Sequence, residues 1–251
     1  MMLTFLVVLL VAQNPLTHLP GPYSRESTET RATLQRHVLN YSVSGSSFVD
    51  ALIEVAGRFK FPLGVAWVRN SSKGKPVHFS WKDATVQQVI WDIIHAQPGY
   101  ETNVRNAVVH VQPSGLVSDR QNFLKLTIPR FDVHDQVAEV GSKRLFGLIK
   151  QRFGIREKVP GPSVRGGVGF SQGVEVGDPQ ISIILMNVTI EDALDSLILT
   201  SPFKIWLVTF AANGSLTPSG LRDTISPVTG KAIPYKYQPF WELLRWGRSP
   251  Y

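Results

Sequence analysis

One short stretch of the chain matches the sequence pattern of a serine hydrolase. Residues 169–173 read Gly-Phe-Ser-Gln-Gly, the Gly-x-Ser-x-Gly pattern in which a strained strand-to-helix turn exposes a nucleophilic hydroxyl. The flanking residues are rich in glycine and proline, and Val174 to Pro179 lacks the features that start a helix. No histidine follows Ser171, although the α/β-hydrolase order places the histidine base last. A surface loop is therefore favoured, and a hydrolase that uses Ser171 stays an alternative.

The six histidines lack the spacing of a metal site. No pair has the one- or three-residue gap that places two imidazoles on one face of a strand or a helix. His78 and His110 fall on the polar side of predicted strands, where an exposed ring is expected. His134-Asp135 is a local acid–base pair that we expect on a solvated helix face. Cysteine is absent, and we expect no catalytic residue, no metal ion and no cofactor.

The composition is that of a folded chain with a basic surface. Hydrophobic residues make up 43% of the 251 residues, which supplies enough apolar surface for a core and excludes an intrinsically disordered chain. The formal net charge is +7, which suits anionic partners. The basic residues are nevertheless spread along the chain, and no nucleic-acid-binding motif is present. We therefore expect no nucleic-acid partner.

The N-terminus has the length and composition of a secretory signal. Leu3 to Ala12 is an unbroken apolar run, shorter than the ~20 residues that span a bilayer, and Ala12 is a small residue suited to the cleavage site. No lysine or arginine precedes the run, and its alternative is a buried strand or helix of the mature fold. Residues 13–37 are predicted to be a polar linker in which Ser24 to Arg36 can form a short solvated helix. The expected location is periplasmic or secreted.

Residues 38–112 carry the patterns of one compact α+β module. Period-two alternation predicts strands, and apolar residues at i, i+3 and i+4 predict helices. The predicted elements are a strand from Val38, a helix over 47–59 capped by Ser46 or Ser47, strands over 63–68 and 77–81, a helix over 84–95 capped by Asp83, and a hairpin of 100–104 with 108–111. The order is strand, helix, strand, strand, helix, strand, strand.

The same order recurs less clearly in residues 123–210. Leu124, Leu126 and Ile128 alternate like a first strand, and apolar residues from Val133 to Ile149 follow a helical spacing. Residues 79–104 align without a gap on residues 183–208, at a constant offset of 104, which favours an internal duplication. The glycine-rich stretch 160–179 replaces a short turn of the first module and is expected to be a surface loop.

Residues 211–251 form a basic tail rich in aromatic residues. Pro239 to Trp246 is predicted to be a short helix, because proline stands at its start and Gly247 follows its end. In one interpretation Phe240, Leu243 and Leu244 pack the tail onto the second module. In the other, its aromatic and arginine side chains form an interface with a protein or with an anionic membrane surface. The two interpretations are compatible.

The first module resembles the short N-terminal domain of secretins and TonB-dependent receptors, also known from the N0 domain of secretins. The residues that carry the resemblance are Phe48-Val49-Asp50-Ala51-Leu52, Val55-Ala56, the run from Val77 to Val86, and Gly99-Tyr100. The second module keeps this pattern from Met186 to Leu194 and departs from it by its glycine-rich loop and by Phe203, where the family has glycine. The resemblance implies a non-enzymatic envelope module that docks onto partner proteins.

The sequence thus predicts an α+β protein of two small βαββαββ modules, each with two helices packed on short mixed sheets. The predicted function is protein–protein interaction in the cell envelope, with strand addition at an open sheet edge as its physical route. The candidate partner-binding residues are Tyr100, Val104, Val109, Tyr235, Tyr237, Trp241, Arg245 and Trp246. The alternatives are the hydrolase and a peripheral protein bound to a membrane or a cell wall. The sequence leaves the oligomeric state open.

Overall fold

The computed structural model describes most of the chain between residues 24 and 245. The described ranges are 24–69, 76–118, 122–153, 178–211, 224–225, 232–233 and 239–245. The helices in them are α1 Ser24–Leu34, α2 Phe48–Phe59, α3 Val86–His95, α4 Ser114–Ser118, α5 Ala138–Phe153 and α6 Ile190–Thr200. The strands are β1 His37–Gly45, β2 Leu63–Arg69, β3 Val77–Thr85, β4 Tyr100–Arg105, β5 Val108–Pro113, β6 Thr127–Gln136, β7 Ile181–Thr189, β8 Ile205–Ala211, β9 Thr224–Ile225, β10 Ala232–Ile233 and β11 Pro239–Leu244. The predicted α+β class is confirmed.

The element order predicted for the first module is also the observed one, from β1 to β5. The hydroxyl of Ser47 caps α2 by accepting from the Asp50 backbone N–H, at 3.2 Å. Helix α3 begins two residues later than predicted and is capped by Thr85 rather than by Asp83. The reason is that β3 stays extended through Thr85, whose hydroxyl then accepts from the Gln88 N–H at 3.1 Å.

A five-stranded mixed sheet lies at the centre of the protein. Its order is β11-β8-β2-β5-β4, in which β2 is parallel to β5 and to β8, and the two outer pairs are antiparallel. Successive side chains of a strand point to opposite faces of a sheet. In β8, Ile205 and Leu207 accordingly join one hydrophobic core, and Trp206 and Val208 join another. The sheet is therefore buried on both faces.

The two cores are covered by similar layers. The first core lies between the central sheet and α2, α3 and the antiparallel pair β1–β3. The second core lies between the opposite face of the sheet and α5, α6 and the antiparallel pair β6–β7. Because β2, β4 and β5 come from the first predicted module and β8 from the second, both segments build one sheet.

The start of the second segment differs from its predicted helical stripe. Val133 and His134-Asp135 belong to strand β6, and α5 begins only at Ala138. The strand extends this far because buried and exposed residues alternate here: Phe131 and Val133 face the core, and His134 is exposed. Leu124 lies in a short 3-10 turn that precedes β6.

The described part of the tail contains a strand where a helix was predicted. Pro239–Leu244 forms β11, which pairs antiparallel with β8 at one edge of the central sheet. Leu243 is buried in the second core and its neighbour Leu244 in the first. Adjacent residues reach opposite sides only in an extended backbone, which is why the strand is preferred here. Leu243 thus packs on the second module as predicted, whereas Leu244 packs on the first core instead.

Residues 24–34 of the predicted linker form α1, which rests on the first core through Leu34. The buried Thr30 hydroxyl donates to the Ala107 carbonyl at 2.8 Å, so the helix is also tied to the β4–β5 turn. Across the described ranges, no helix is long and apolar enough to cross a membrane.

The elements recur at the offset found in the sequence. Strands β3 and β7 begin at residues 77 and 181, and helices α3 and α6 begin at residues 86 and 190. In both helices the hydroxyl of the capping threonine, Thr85 or Thr189, accepts from the backbone N–H three residues later. The internal duplication itself stays a prediction.

Candidate functional site

His110 lies at the centre of a buried cluster of charged side chains. It occupies β5, with Gln112 two residues later on the same face of the strand, and its exposed fraction is 1%. From the sequence, we expected an exposed ring on the polar side of the strand. That expectation is wrong, because β5 is an inner strand of the central sheet and its polar side faces α6 rather than water.

Helix α6 supplies the carboxylates of this cluster. Its start is fixed by a capping box, in which the Thr189 hydroxyl accepts from the Asp192 N–H at 3.1 Å and the Asp192 side chain accepts from the Thr189 N–H. Glu191 and Asp195 stand one helical turn apart, at positions i and i+4, and therefore share the helix face that lies against β5. Both are buried.

The imidazole of His110 lies between these two carboxylates. Its Nδ1 is 2.7 Å from Glu191 Oε1, and its Nε2 is 3.2 Å from Asp195 Oδ2. The second contact has the distance of an ion pair but not the geometry of a hydrogen bond. Gln112 Nε2 also donates to Glu191 Oε1, and Trp206 Nε1 donates to Asp195 Oδ1 at 2.9 Å. The cluster thus joins two strands of the sheet to one helix.

A glycine makes room for the tryptophan in this arrangement. In the sheet register Gly64 of β2 stands between His110 of β5 and Trp206 of β8. A Cβ atom on Gly64 would lie 2.3 Å from Cζ2 of the Trp206 ring, so a side chain here would displace the indole. The absence of that side chain lets the indole lie over β2, where its ring meets the His110 ring edge to face, with centroids 5.7 Å apart.

Arg105 closes the cluster toward solvent. Its guanidinium nitrogen is 2.7 Å from Glu191 Oε2 and 3.3 Å from Asp192 Oδ1, and the side chain is 43% exposed. The tight turn that follows, Asn106 and Ala107, has φ of 50° and 67°, as type I′ hairpins require. Asn106 Nδ2 donates to Asp192 Oδ1 at 3.3 Å. The whole β4–β5 hairpin end is therefore fixed on the N-terminus of α6.

The pKa values in the cluster are shifted by burial and by mutual attraction. Burial lowers the pKa of His110, but the negative charges of Asp195 and Glu191, together with the hydrogen bond to Glu191, outweigh it and raise the pKa to about 9. For Glu191, burial is outweighed by the hydrogen bond and charge of His110, so its pKa is lowered. For the fully enclosed Asp195, burial dominates and raises the pKa. At neutral pH His110 is a buried cation held by Glu191.

This geometry suits a structural role rather than proton transfer to a substrate. Both ring nitrogens of His110 face carboxylates of the protein itself, and the ring is closed off from solvent. In the part of the chain that the structure describes, no cluster of His, Asp and Glu can hold a metal ion. The cluster holds residues of the first segment against α6 of the second.

The predicted partner-binding residues of the hairpin lie on β4 and β5. Tyr100 and Val104 are half-buried and pack against the first core. Val109 is only 2% exposed and belongs to that core, so its side chain is not part of the surface on which it was expected. The structure brings these three together on one face of the hairpin, directed inward.

Of the predicted tail residues, Arg245 is described in full. It forms an ion pair with Asp178, and its guanidinium carbon lies 5.0 Å from the centre of the Phe203 ring. These contacts direct Arg245 into the protein. The backbone of Trp241 lies in β11. Tyr235, Tyr237 and Trp246 lie outside the described residues, as do Ser171 and most of the glycine-rich stretch.

The cluster could not be found from the sequence patterns because its members are far apart in the chain. His110 is 81 residues from Glu191, and neither lies near another group with which it forms a known motif. One signal was present: His110 is flanked by Val108, Val109 and Val111, a continuous apolar run of the kind that marks a strand buried on both faces. A histidine in such a strand requires a buried partner.

The chain was compared with protein-family models, with curated proteins and with solved structures, and none of the three comparisons gave a match.

Proposed function

We propose that the protein is a non-enzymatic interaction module of the cell envelope, which binds an extended segment of a partner protein along strand β4. The proposal joins two lines of support. The signal-like run Leu3 to Ala12 and the resemblance of residues 38–112 to secretin N-terminal domains favour an exported docking protein. The position of β4 at the end of the central sheet supplies a docking edge.

The single observation that carries the proposal is the direction of the β4 backbone groups. The Val109 N–H donates to the Pro62 carbonyl at 3.0 Å, on the β2 side of β5. Neighbouring residues of a strand direct their backbone groups to opposite sides, so His110 directs its own toward β4, where Asn103 stands opposite. Thr102 and Val104 must then direct their N–H and C=O groups away from β5, toward the outer side of the sheet.

That outer side has no strand beside it in the described ranges. Exposed, unpaired backbone groups at a sheet edge form a template for another strand. The edge is also rigid, because the sheet is packed on both faces and Arg105, at the end of β4, is bound by Glu191 and Asp192. A rigid edge loses little conformational entropy on binding, which favours affinity.

The buried cluster supports a binding role over a catalytic one. Its histidine is enclosed, and both its nitrogens are engaged by the protein's own carboxylates. Its contribution to the proposed function is to hold the β4–β5 hairpin in place on α6.

The proposal is tested by a proline at the edge. Thr102→Pro removes an N–H that faces outward and leaves the β4–β5 ladder intact, as edge strands tolerate. Thr102→Val is the matched control, because it also removes the hydroxyl but keeps the N–H. The tagged proteins are used to capture partners from gently solubilised envelope, and the captured proteins are identified by mass spectrometry.

We expect a stoichiometric partner with wild type and with Thr102→Val, and its loss with Thr102→Pro. Circular dichroism confirms that both variants are folded. Equal recovery of the partner with Thr102→Pro, or recovery of the protein alone from envelope at low salt, contradicts the proposal.

A further inference from the structure

A second open edge, on β7, has a different chemistry from the edge of β4. Ile181–Thr189 contains no charged residue and pairs only with β6 among the described strands. Its side chains alternate, with Ile181 and Ile183 buried in the second core and Ile184 and Met186 each 60% exposed. Natural proteins usually protect such an edge with a charge, a proline or a covering element.

The corresponding strand of the first segment has that protection. At the offset of 104, the positions of Ile184 and Met186 are occupied in β3 by Ser80 and Lys82, both exposed. A lysine on an edge strand prevents the approach of a second edge, because its charge would be buried. β3 and β7 thus hold equivalent positions in the pairs β1–β3 and β6–β7. The exposed side chains are polar or charged on β3 and apolar on β7.

The surface beside β7 carries charges of both signs. Asp132 stands opposite Ile184 on β6, and it is contacted by Arg130 at 3.3 Å and by Arg144 at 2.7 Å. A strongly basic or acidic border would repel an identical one at close range. Asp132 offsets part of the positive charge of Arg130 and Arg144, which lessens the repulsion between two copies of this surface, despite the net charge of +7.

We propose that β7 is a self-association edge, at which two copies of the protein pair antiparallel about a two-fold axis and form one four-stranded sheet, β6-β7-β7-β6. An edge without charge and with exposed aliphatic side chains is complementary to itself, and a two-fold axis uses the same surface of both copies. The partner is thus a second copy of this chain, and the dimer is separate from the β4 edge.

The backbone of β7 selects the register. The strand is interrupted at Asn187, which has φ of 51°. The stretch from Ser182 to Met186 pairs with its copy without reaching Asn187 when Ile184 of one copy stands opposite Ile184 of the other. Met186 then lies opposite Ser182 and diagonal to the partner's Ile184, and such neighbours on one face interact. The interface is small, so the dimer is expected to depend on protein concentration.

Analytical ultracentrifugation of the full chain tests the proposal. Wild type should shift from monomer to dimer as its concentration rises. The variant Ile184→Ser/Met186→Lys gives β7 the residues of β3, and it should raise the dissociation constant by about tenfold or more, a loss of roughly 1.4 kcal/mol at least. Leu39→Lys is the matched control, because it replaces a 74% exposed residue of β1 by lysine and should leave the dimer unchanged.

A disulfide reports the register directly. The chain has no cysteine, so Ile184→Cys introduces a single thiol. Opposite residues of antiparallel strands have Cα atoms about 4.5–5.5 Å apart, within the range of a disulfide. Mild oxidation should therefore link Ile184→Cys into a covalent dimer, and Ser80→Cys on β3 should stay a monomer.

Wild type that stays monomeric at every concentration overturns the proposal, as does equal cross-linking of the two cysteine variants. Circular dichroism of each variant separates loss of pairing from loss of folding. The Ile184→Ser/Met186→Lys variant should still capture the partner of β4, so that the two proposals fail or hold independently.

Discussion

Helices α3 and α6 start in the same way and end in different surroundings. Both follow a strand that ends in a capping threonine, and both bury the same apolar face. On the other face, Gln87 and Trp91 of α3 are exposed, whereas Glu191 and Asp195, which hold the same positions in α6, are buried. The difference is that the end of the β4–β5 hairpin covers this face of α6, whereas the corresponding face of α3 is exposed. The local sequence pattern therefore determines where each helix forms. The elements packed against the helix determine whether its outer residues are buried or exposed.

The largest expected effect on stability comes from breaking the buried cluster on α6. His110→Ala leaves Glu191 and Asp195 enclosed without their cation, and we expect the free energy of unfolding to fall by about 3–5 kcal/mol. His37 forms a similar pair with Asp83, at 3.0 Å, but both side chains are about two thirds exposed. His37→Ala should change stability by less than about 1 kcal/mol. Urea denaturation followed by circular dichroism measures both, and equal effects would refute the assignment of the cluster.

The pH dependence of stability sharpens the same contrast. Because the pKa of His110 is raised from 6.5 to about 9 on folding, its contribution is complete below pH 6.5 and is lost as the pH rises through about 9. The loss across this window should be roughly 3 kcal/mol, from about 1.4 kcal/mol per pKa unit. Denaturation at pH 6, 8 and 10 measures it. His110→Gln removes the titrating imidazole and should lack the part of the loss that is centred between pH 6.5 and 9, and a flat profile in wild type would contradict the charged state of His110.

Alanine substitutions of two glycines allow the central sheet to be compared with an outer helix. Gly64→Ala would force the buried Trp206 ring away from His110, and we expect a loss of about 1–3 kcal/mol. Gly147 lies exposed on α5 with no atom within 4 Å of an added Cβ, so Gly147→Ala should stabilise the protein by up to about 1 kcal/mol. Thermal unfolding compares the two variants. A tolerated alanine at position 64 would show that the indole can move freely.

The smallest effect concerns the two capping threonines. Thr189 has a reciprocal capping box with Asp192, and Thr85 has the hydroxyl contact alone. We expect Thr189→Ala to cost about 1 kcal/mol and Thr85→Ala about half of that. The larger effect also arises because Asp192 loses a fixed position beside Arg105. The Tm difference between the variants measures it, and a larger effect at Thr85 would show that the box adds nothing.

The fold of the first segment could be predicted from the sequence because its periods are local. The alternation around Val77 and the helical spacing around Phe48 depend on residues near one another, and the tight hairpin lies between two short strands. The tail could not be predicted in the same way. The pair Leu243 and Leu244 is compatible with a helix and with a strand. The strand forms because this segment pairs with β8, which lies elsewhere in the chain.

The site could be predicted less well than the fold. Local alternation placed His110 on the polar face of a strand, which is correct, but exposure depends on what packs against that face. The covering element, α6, comes some 80 residues later, and the sheet order that brings it there follows from parallel pairing between β2 and β8. The hydrophobic periodicity of one strand carries no information about an element about 80 residues away or about the order of strands in the sheet.

The order of the central sheet has a consequence for how the chain folds. β2 ends at residue 69, yet its two neighbours in the sheet are β5, near residue 110, and β8, near residue 208. The other neighbour of β8 is β11, which ends at residue 244. Such non-local pairings make folding slow, because distant segments must meet before any of them is stabilised. In a nascent chain, one edge of β2 stays unpaired until β8 has been made. We expect newly made protein to stay loosely structured long enough to be recognised by chaperones.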